Sequence, residues 1–230
     1  MRQIILDTET TGLNPALGHR IIEVAAVEMV NRRLTGKHFH CYVNPEREID
    51  AGAQQVHGIA LEFLQDKPKF ADVAQAFLTF VAGGELVIHN APFDVGFLDH
   101  ELALLSLNAI HTCCAGVIDT LKLAKELHPG QKNNLDALCK RYGVDNAHRT
   151  LHGALLDAEL LAEVYLAMTR GQESLMIDMS SAAQTSMTAA GVAASLPQRV
   201  LHASVEELAA HAALLADIDK ECKGTCLWNK

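Results

Sequence analysis

The side chains of this 230-residue sequence best placed to do chemistry are five: Asp7, Glu9, Asp94, His152 and Asp157. Ile4-Ile5-Leu6 reads as a short buried strand ending at Asp7, with Glu9 two residues on. Side chains alternate along a strand, so both carboxylates would share one side and could ligate the same hard cation. Asp-x-Glu is a common triplet, and a solvated strand end is the competing reading. The small-residue turn Thr10-Thr11-Gly12 that follows could admit a substrate. Asp94, in His89-Asn90-Ala91-Pro92-Phe93-Asp94, falls where a strand gives way to a helix. A carboxylate there suits the helix dipole, with or without a further role. His152 and Asp157 lie five apart, which on an ideal helix separates their side chains by about 140°. They converge only if His152 stands in a loop and Asp157 just inside a helix, and Gly153 supplies the break. Taken together, four carboxylates lie at strand ends or helix starts, and one histidine precedes the last of them.

The elements that must position them follow from periodicity. Ile21 to Val30 is rich in β-branched residues, and Lys37 to Val43 follows the turn-like Leu34-Thr35-Gly36. With the first strand they should form three antiparallel neighbours. Val73, Ala76, Phe77 and Phe80 fall at helical spacing over 71–81, before a strand at Glu85-Leu86-Val87-Ile88-His89. Phe97, Leu98, Leu102 and Leu105 mark a helix face beyond Pro92, and Val117-Ile118 a fifth strand. Helices are expected at 121–127, at 135–142 and from Gly153 to Met168. The sum is a mixed α/β domain over 1–170.

Beyond it, residues 180 to 197 are small, uncharged and poorly patterned, as in a flexible linker. Ser204-Val205-Glu206-Glu207 fits a capping box, opening a helix with a narrow stripe of Val205, Leu208, Ala212 and Leu215. Gly224 would stop it. Apolar runs are short, so no membrane span is expected, and the early carboxylates do not suit a signal peptide. A cytoplasmic location is the default. The six cysteines lack a secreted framework and read as reduced thiols, with zinc at Cys222/Cys226 a weak alternative. A net charge of −9 argues against an electrostatic grip on DNA. Either the protein avoids nucleic acid, or its carboxylates hold metals while something else holds the DNA.

The order and setting of Asp7, Glu9, Asp94, His152 and Asp157 resemble the DEDD exonucleases, in the branch whose fifth residue is a histidine five before the last aspartate. Val87-Ile88-His89-Asn90-Ala91-Pro92-Phe93-Asp94-Val95-Gly96-Phe97-Leu98 is similar to the second exonuclease motif nearly throughout. Val56-His57-Gly58-Ile59 is similar to the segment that closes over substrate. Val164-Tyr165-Leu166-Ala167-Met168-Thr169, the linker and the ending Gly224-Thr225-Cys226-Leu227-Trp228 resemble the ε-type proofreading exonucleases of bacterial DNA polymerase III.

The resemblance implies a ribonuclease H-like five-stranded sheet, first antiparallel and then parallel, and metal-dependent 3′→5′ removal of mispaired nucleotides as monophosphates. It implies that Asp7, Glu9 and Asp157 hold one Mg²⁺ or Mn²⁺, that Asp7 bridges to a second, and that Asp94 acts on the second through water. His152 would take the proton from the attacking water. Thr10, His57, Asn90 and Phe93 are candidates for contacting the terminal nucleotide, Phe93 equally a core residue. Members of the family often carry an acidic residue about where Gly52 stands, so its contact to the terminal nucleotide is absent or replaced here.

The resemblance also assigns the tail. Residues 171–198 would be a linker in which Gln172, Leu175 and Ile177 fit the loose Gln-x-x-Leu-x-apolar pattern of sliding-clamp (β) ligands; Gln184-Thr185-Ser186-Met187 is a poorer second match. Residues 199–230 would bind the polymerase catalytic (α) subunit, anchored by Leu208, Leu215 and Trp228. A helix folded back on the nuclease domain is the alternative. The DNA partner would be a single-stranded or frayed 3′ end, and the family leaves room for a small accessory subunit. Two rivals stand beside this reading: a DEDD exoribonuclease, which would need no such tail, and a non-catalytic scaffold, which would be free to lose a carboxylate.

Overall fold

The computed structural model describes residues 1–147, 149, 151–170 and 203–222. The chain divides into two units, Met1–Ile177 and Asp178–Lys230. In the first, β1 (Arg2–Thr10), β2 (Ile21–Val30) and β3 (Arg33–Tyr42) run antiparallel. A two-residue turn joins β2 to β3, with Asn31 and Arg32 at φ of 48° and 62°, the mirror-image geometry that matches strand twist. β4 (Glu85–Ile88) and β5 (Gly116–Asp119) are parallel to β1, giving the order β3-β2-β1-β4-β5. This is the ribonuclease H-like mixed sheet expected from the sequence.

Alternation in β1 divides the core. Ile4 and Leu6 face one layer with Phe70, Phe77 and Val81 of α3 (Phe70–Val81) and Phe97, Leu98 and Leu102 of α4 (Ala91–Leu104). Ile5 faces the other with Ala124 of α5 (Thr120–Leu127), Leu138 and Cys139 of α6 (Leu135–Tyr142) and Leu161 and Val164 of α7 (Ala154–Met168). Continued by two and four residues, the parity of Ile5 puts Asp7 and Glu9 on the α7 face.

Three local expectations need adjustment. β1 does not end at Asp7: the β2 ladder carries it through Thr8↔Val24 and Glu9↔Glu23 to a register shift after Glu9, so both carboxylates lie within paired strand. The last helix of the unit starts at Ala154, because Gly153 takes an extended φ/ψ of −155°/127° as its N-cap. Two short helices, α1 (Ala51–His57) and α2 (Leu61–Leu64), occupy a stretch without helical periodicity. α1 ends at Gly58, whose φ of 71° favours glycine.

In the second unit α8 runs Val205–Cys222. Its capping box is formed: Ser204 Oγ accepts from Glu207 N at 3.2 Å, and Glu207 Oε2 accepts from Ser204 N at 2.8 Å. Leu208 lies on its exposed surface and Leu215 is half-buried. Gln172, Leu175, Ile177, Gln184, Met187, Gly224, Cys226 and Trp228 lie outside the described residues. Among the described residues no helix is long and apolar enough to cross a membrane.

Candidate active site

The site forms where β1 outruns its parallel neighbour. β4 stops opposite Leu6, so the next strand edge is open, and Asp94 from the first turns of α4 takes its place. Asp94 Oδ1 accepts from Thr8 N at 3.0 Å and from Thr8 Oγ1 at 2.7 Å. From the opposite layer, α7 delivers Asp157 at its fourth position, where Asp157 N donates to Gly153 O at 2.9 Å. His152 stands in the loop before the helix, anchored by its N–H on Val56 O at 3.2 Å. Its Nδ1 lies 3.4 Å from Asp157 Oδ2. The loop break that convergence required is therefore present.

Ligand atoms of Glu9, His152 and Asp157 lie within 4.8 Å of one another. Asp7 lines a cavity of about 240 Å³ together with His152, Asp157, His89, Asp136 and Arg149. A larger cavity of about 470 Å³ adjoins Glu9 and is lined by Thr10, Val56, His57, Phe93 and Gly52 among others. A Cβ at Gly52 would meet nothing within 4 Å, so the missing acidic side chain leaves room in this cavity. Three of the four substrate candidates, Thr10, His57 and Phe93, thus share one wall; Asn90 does not line it. Asn90 is instead exposed at the N-cap of α4 with φ 70°, its N–H donating to Asp119 Oδ1 at 3.2 Å. Phe93 also packs on Phe97 with ring centroids 5.0 Å apart, so it serves the core as well. His57 Nδ1 accepts from Ile59 N at 3.0 Å, while Nε2 is enclosed near the Thr10 carbonyl without a well-formed hydrogen bond.

The electrostatics are those of charge awaiting compensation. Burial, then the neighbouring carboxylates Asp94, Glu9, Asp157 and Glu23, hold the Asp7 carboxyl well above its ordinary range. Burial followed by Asp157, Glu23 and Asp94 pushes Glu9 up to about 8, with Arg149 opposing. Burial lifts Asp94 to about 7 against the Thr8 hydrogen bonds that favour its charged form. No described residue donates a hydrogen bond to the Asp7 or Glu9 side chain, whereas Asp94 has Thr8 and Asp157 has Arg149. Buried oxygen donors without protein partners are what a hard divalent cation needs. The donor set fits such an ion.

Two residues that the sequence reading passed over hold the site together. Glu23, directly opposite Glu9 on β2, accepts from Ala154 N at 3.2 Å at the start of α7 and meets His40 Nε2 at 2.7 Å. It ties the helix carrying Asp157 to the strand pair carrying Glu9. An acidic residue inside the apolar run Ile21–Val27 was a readable signal for it. Arg149 forms a two-pronged pair with Asp157, Nε to Oδ1 at 2.6 Å and Nη2 to Oδ2 at 2.7 Å. Nothing in its local pattern announced that. Burial first, then Arg149, lowers the pKa of His152.

An exonuclease family model (RNase_T) matches residues 4–165. Exonuclease X, solved with 5′-overhanging duplex DNA, superposes with a TM-score of 0.57 at 27% identity, over 74% of this chain and 92% of that one. The nuclease domain of 3'hExo, a DEDDh family member bound to rAMP, shares the fold with a TM-score of 0.64 at 20% identity, over 74% and 92% of the two chains. The chain belongs to the exonuclease family.

Within that class the similarity is narrower and reaches past the nuclease domain. DNA polymerase III subunit epsilon of Pasteurella multocida is 51% identical over 237 aligned positions, covering 100% of this chain and 94% of that protein. The same subunit of Escherichia coli is 52% identical, covering 99% and 97%. The chain is a member of this epsilon group.

Proposed function

We propose that the protein removes mispaired nucleotides from the 3′ end of DNA as nucleoside monophosphates, as the proofreading subunit of a bacterial replicative polymerase. The observation that carries this is the convergence of Glu9, His152 and Asp157 within 4.8 Å, with Glu9 also lining the cavity of about 470 Å³. Asp7, Glu9 and Asp157 would hold one divalent cation, Mg²⁺ or Mn²⁺, and Asp7 and Asp94 would serve a second. Such ions would supply stabilisation of the attacking and leaving oxygens and would make a water easier to deprotonate. His152 would take the proton from that water, from its solvent-facing position. Thr10, His57 and Phe93 bound the space for the last base and sugar, and Asn90 reaches the strand from outside the cavity. Selectivity needs no mismatch-reading side chain, because a mispaired end frays at lower cost and so enters the site more often.

Replacing His152 by alanine is expected to slow cleavage by roughly 10²–10⁴-fold, the range for a lost general base, with Mn²⁺ affinity little changed. Calorimetric Mn²⁺ titration beside a single-turnover assay separates the roles: loss of binding would make His152 a ligand instead.

The proposal extends to the tail. Residues 1–170 form the nuclease domain, 171–198 a linker whose Gln172, Leu175 and Ile177 engage the sliding clamp, and 199–230 the segment that binds the polymerase α subunit through Leu208, Leu215 and Trp228. A small accessory subunit could join the nuclease domain, and the assembly works in the cytoplasm. The 18-residue length of α8 and its exposed Leu208 support a docking helix, since a lone helix gains its stability from packing. Deleting 199–230 should abolish co-purification with the polymerase and leave nuclease activity within about twofold, as expected for independent sites. Loss of both would mean that the segment belongs to the nuclease domain.

A further inference from the structure

We infer that Arg149 is a built-in counter-cation that takes the place of the metal at Asp157 and must leave when a divalent ion binds, freeing His152 as it goes. The inference rests on the assignment of Asp157 as a metal ligand.

The geometry carries it. The Arg149 side chain is 5% exposed, an unusual burial for a guanidinium. Its Nε and Nη2 engage both oxygens of Asp157 at 2.6 and 2.7 Å. Nη2 also lies 2.9 Å from His152 Nδ1 and 3.3 Å from its Nε2. The guanidinium therefore sits against two of the three groups whose ligand atoms converge. Lying within 3.3 Å of both ring nitrogens at once, Nη2 sits over the imidazole face rather than on one lone pair. The ring that His152 needs clear as a base is thereby covered. Nη1, turned to Asp136 Oδ1 at 2.7 Å, gives the side chain a second carboxylate outside the cluster. Asp136 is half-exposed and lines the same cavity.

Charge balance points the same way. Without metal, Asp7, Glu9, Asp94 and Asp157 crowd one site, and Arg149 is the guanidinium placed among them. Two divalent cations would balance four carboxylates in full, leaving a guanidinium in the same space surplus and repelled. Metal and arginine then compete for Asp157, and the apparent metal affinity is reduced by the fraction of molecules in which Arg149 holds it. Asp136, already in contact with Nη1, offers the guanidinium a carboxylate outside the cluster.

The test is Mn²⁺ titration of the full chain by calorimetry, comparing wild type, Arg149→Met and Asp157→Asn. Arg149→Met should bind Mn²⁺ roughly tenfold more tightly or better, matching a competent fraction of about a tenth in the wild type, while melting at lower temperature in chelator. A residue that merely braced the fold would lower the melting temperature and leave affinity unchanged or weaker, and that result overturns the inference. If wild type binds no Mn²⁺, or Asp157→Asn binds it equally well, the metal assignment itself fails. Should Arg149→Met not fold, wild type decides. The Arg149 Nε–H resonance, assigned against Arg149→Lys, should exchange slowly in chelator and rapidly in saturating Mg²⁺. No change on adding Mg²⁺ would refute the displacement.

Discussion

Alanine at position 7 is expected to remove 3′→5′ cleavage by about a thousandfold or more in saturating Mg²⁺ or Mn²⁺, while the protein stays folded. Asp7 is the one carboxylate assigned to both ions, so its loss disturbs both ends of the displacement. Forfeiting about 4 kcal/mol of transition-state stabilisation corresponds to that factor. The fold should not suffer, because the Asp7 side chain takes no hydrogen bond from any described residue and is held uncomfortably among Asp94, Glu9, Asp157 and Glu23. In chelator the variant should melt at or above the wild-type temperature, since a buried charge repelled by its neighbours has gone. Single-turnover assays beside thermal melts measure both. Cleavage at near wild-type rate with added Mn²⁺ would sink the ligand assignment.

The second large effect is on stability and runs against the usual course for carboxylates. Glu9 at about 8 and Asp94 at about 7 are raised above their ordinary values of 4.5 and 3.8. Between those limits the folded protein binds more protons than the unfolded chain, so stability falls as pH rises. It is fully present below the unfolded pKa and lost through pH 7 to 8. His57, His89 and His152 act in the opposite sense below pH 6.5, because their pKa values are lowered from there. The carboxylate effect is therefore cleanest from pH 6.5 to 8. One proton of difference gives a slope of about 1.4 kcal/mol per pH unit. Urea unfolding in chelator at pH 6.5, 7.2 and 8.0 should show the decline, and saturating Mg²⁺ should abolish it by replacing the missing charge. A flat or rising profile in chelator would mean that the carboxylates are already compensated within the protein.

What the sequence made legible follows from what local pattern can encode. Strand alternation placed Asp7 with Glu9, and the glycine break before α7 placed His152 opposite Asp157, because both are consequences of spacing along one element. The antiparallel pairing of the first three strands followed from their short connections, whereas the parallel strands after them rested on resemblance to the family, and the place of β4 beside β1 was not predicted. Helix α1 was not legible: Ala51–His57 has no apolar period, and the segment lies against the site through tertiary contacts such as His152 N on Val56 O. Leu151 fills the space beside Gly58 that a Cβ would occupy, a fit that no spacing rule carries. Glu23 left a trace as an acid in an apolar strand, whereas Arg149 left none, since its partner was fixed only when α7 docked on β1. Trp228 and the clamp-like hexamer rest on resemblance to the family.

The most direct measurement is exonuclease assay on a 5′-labelled primer, paired or mispaired at its 3′ end, beside an RNA strand, with Mg²⁺ and with chelator. Metal-dependent shortening from the 3′ end, faster on mispaired DNA than on paired DNA or RNA, is the predicted result. Faster shortening of RNA would contradict it in favour of a ribonuclease, and no shortening of any strand would leave the chain a scaffold.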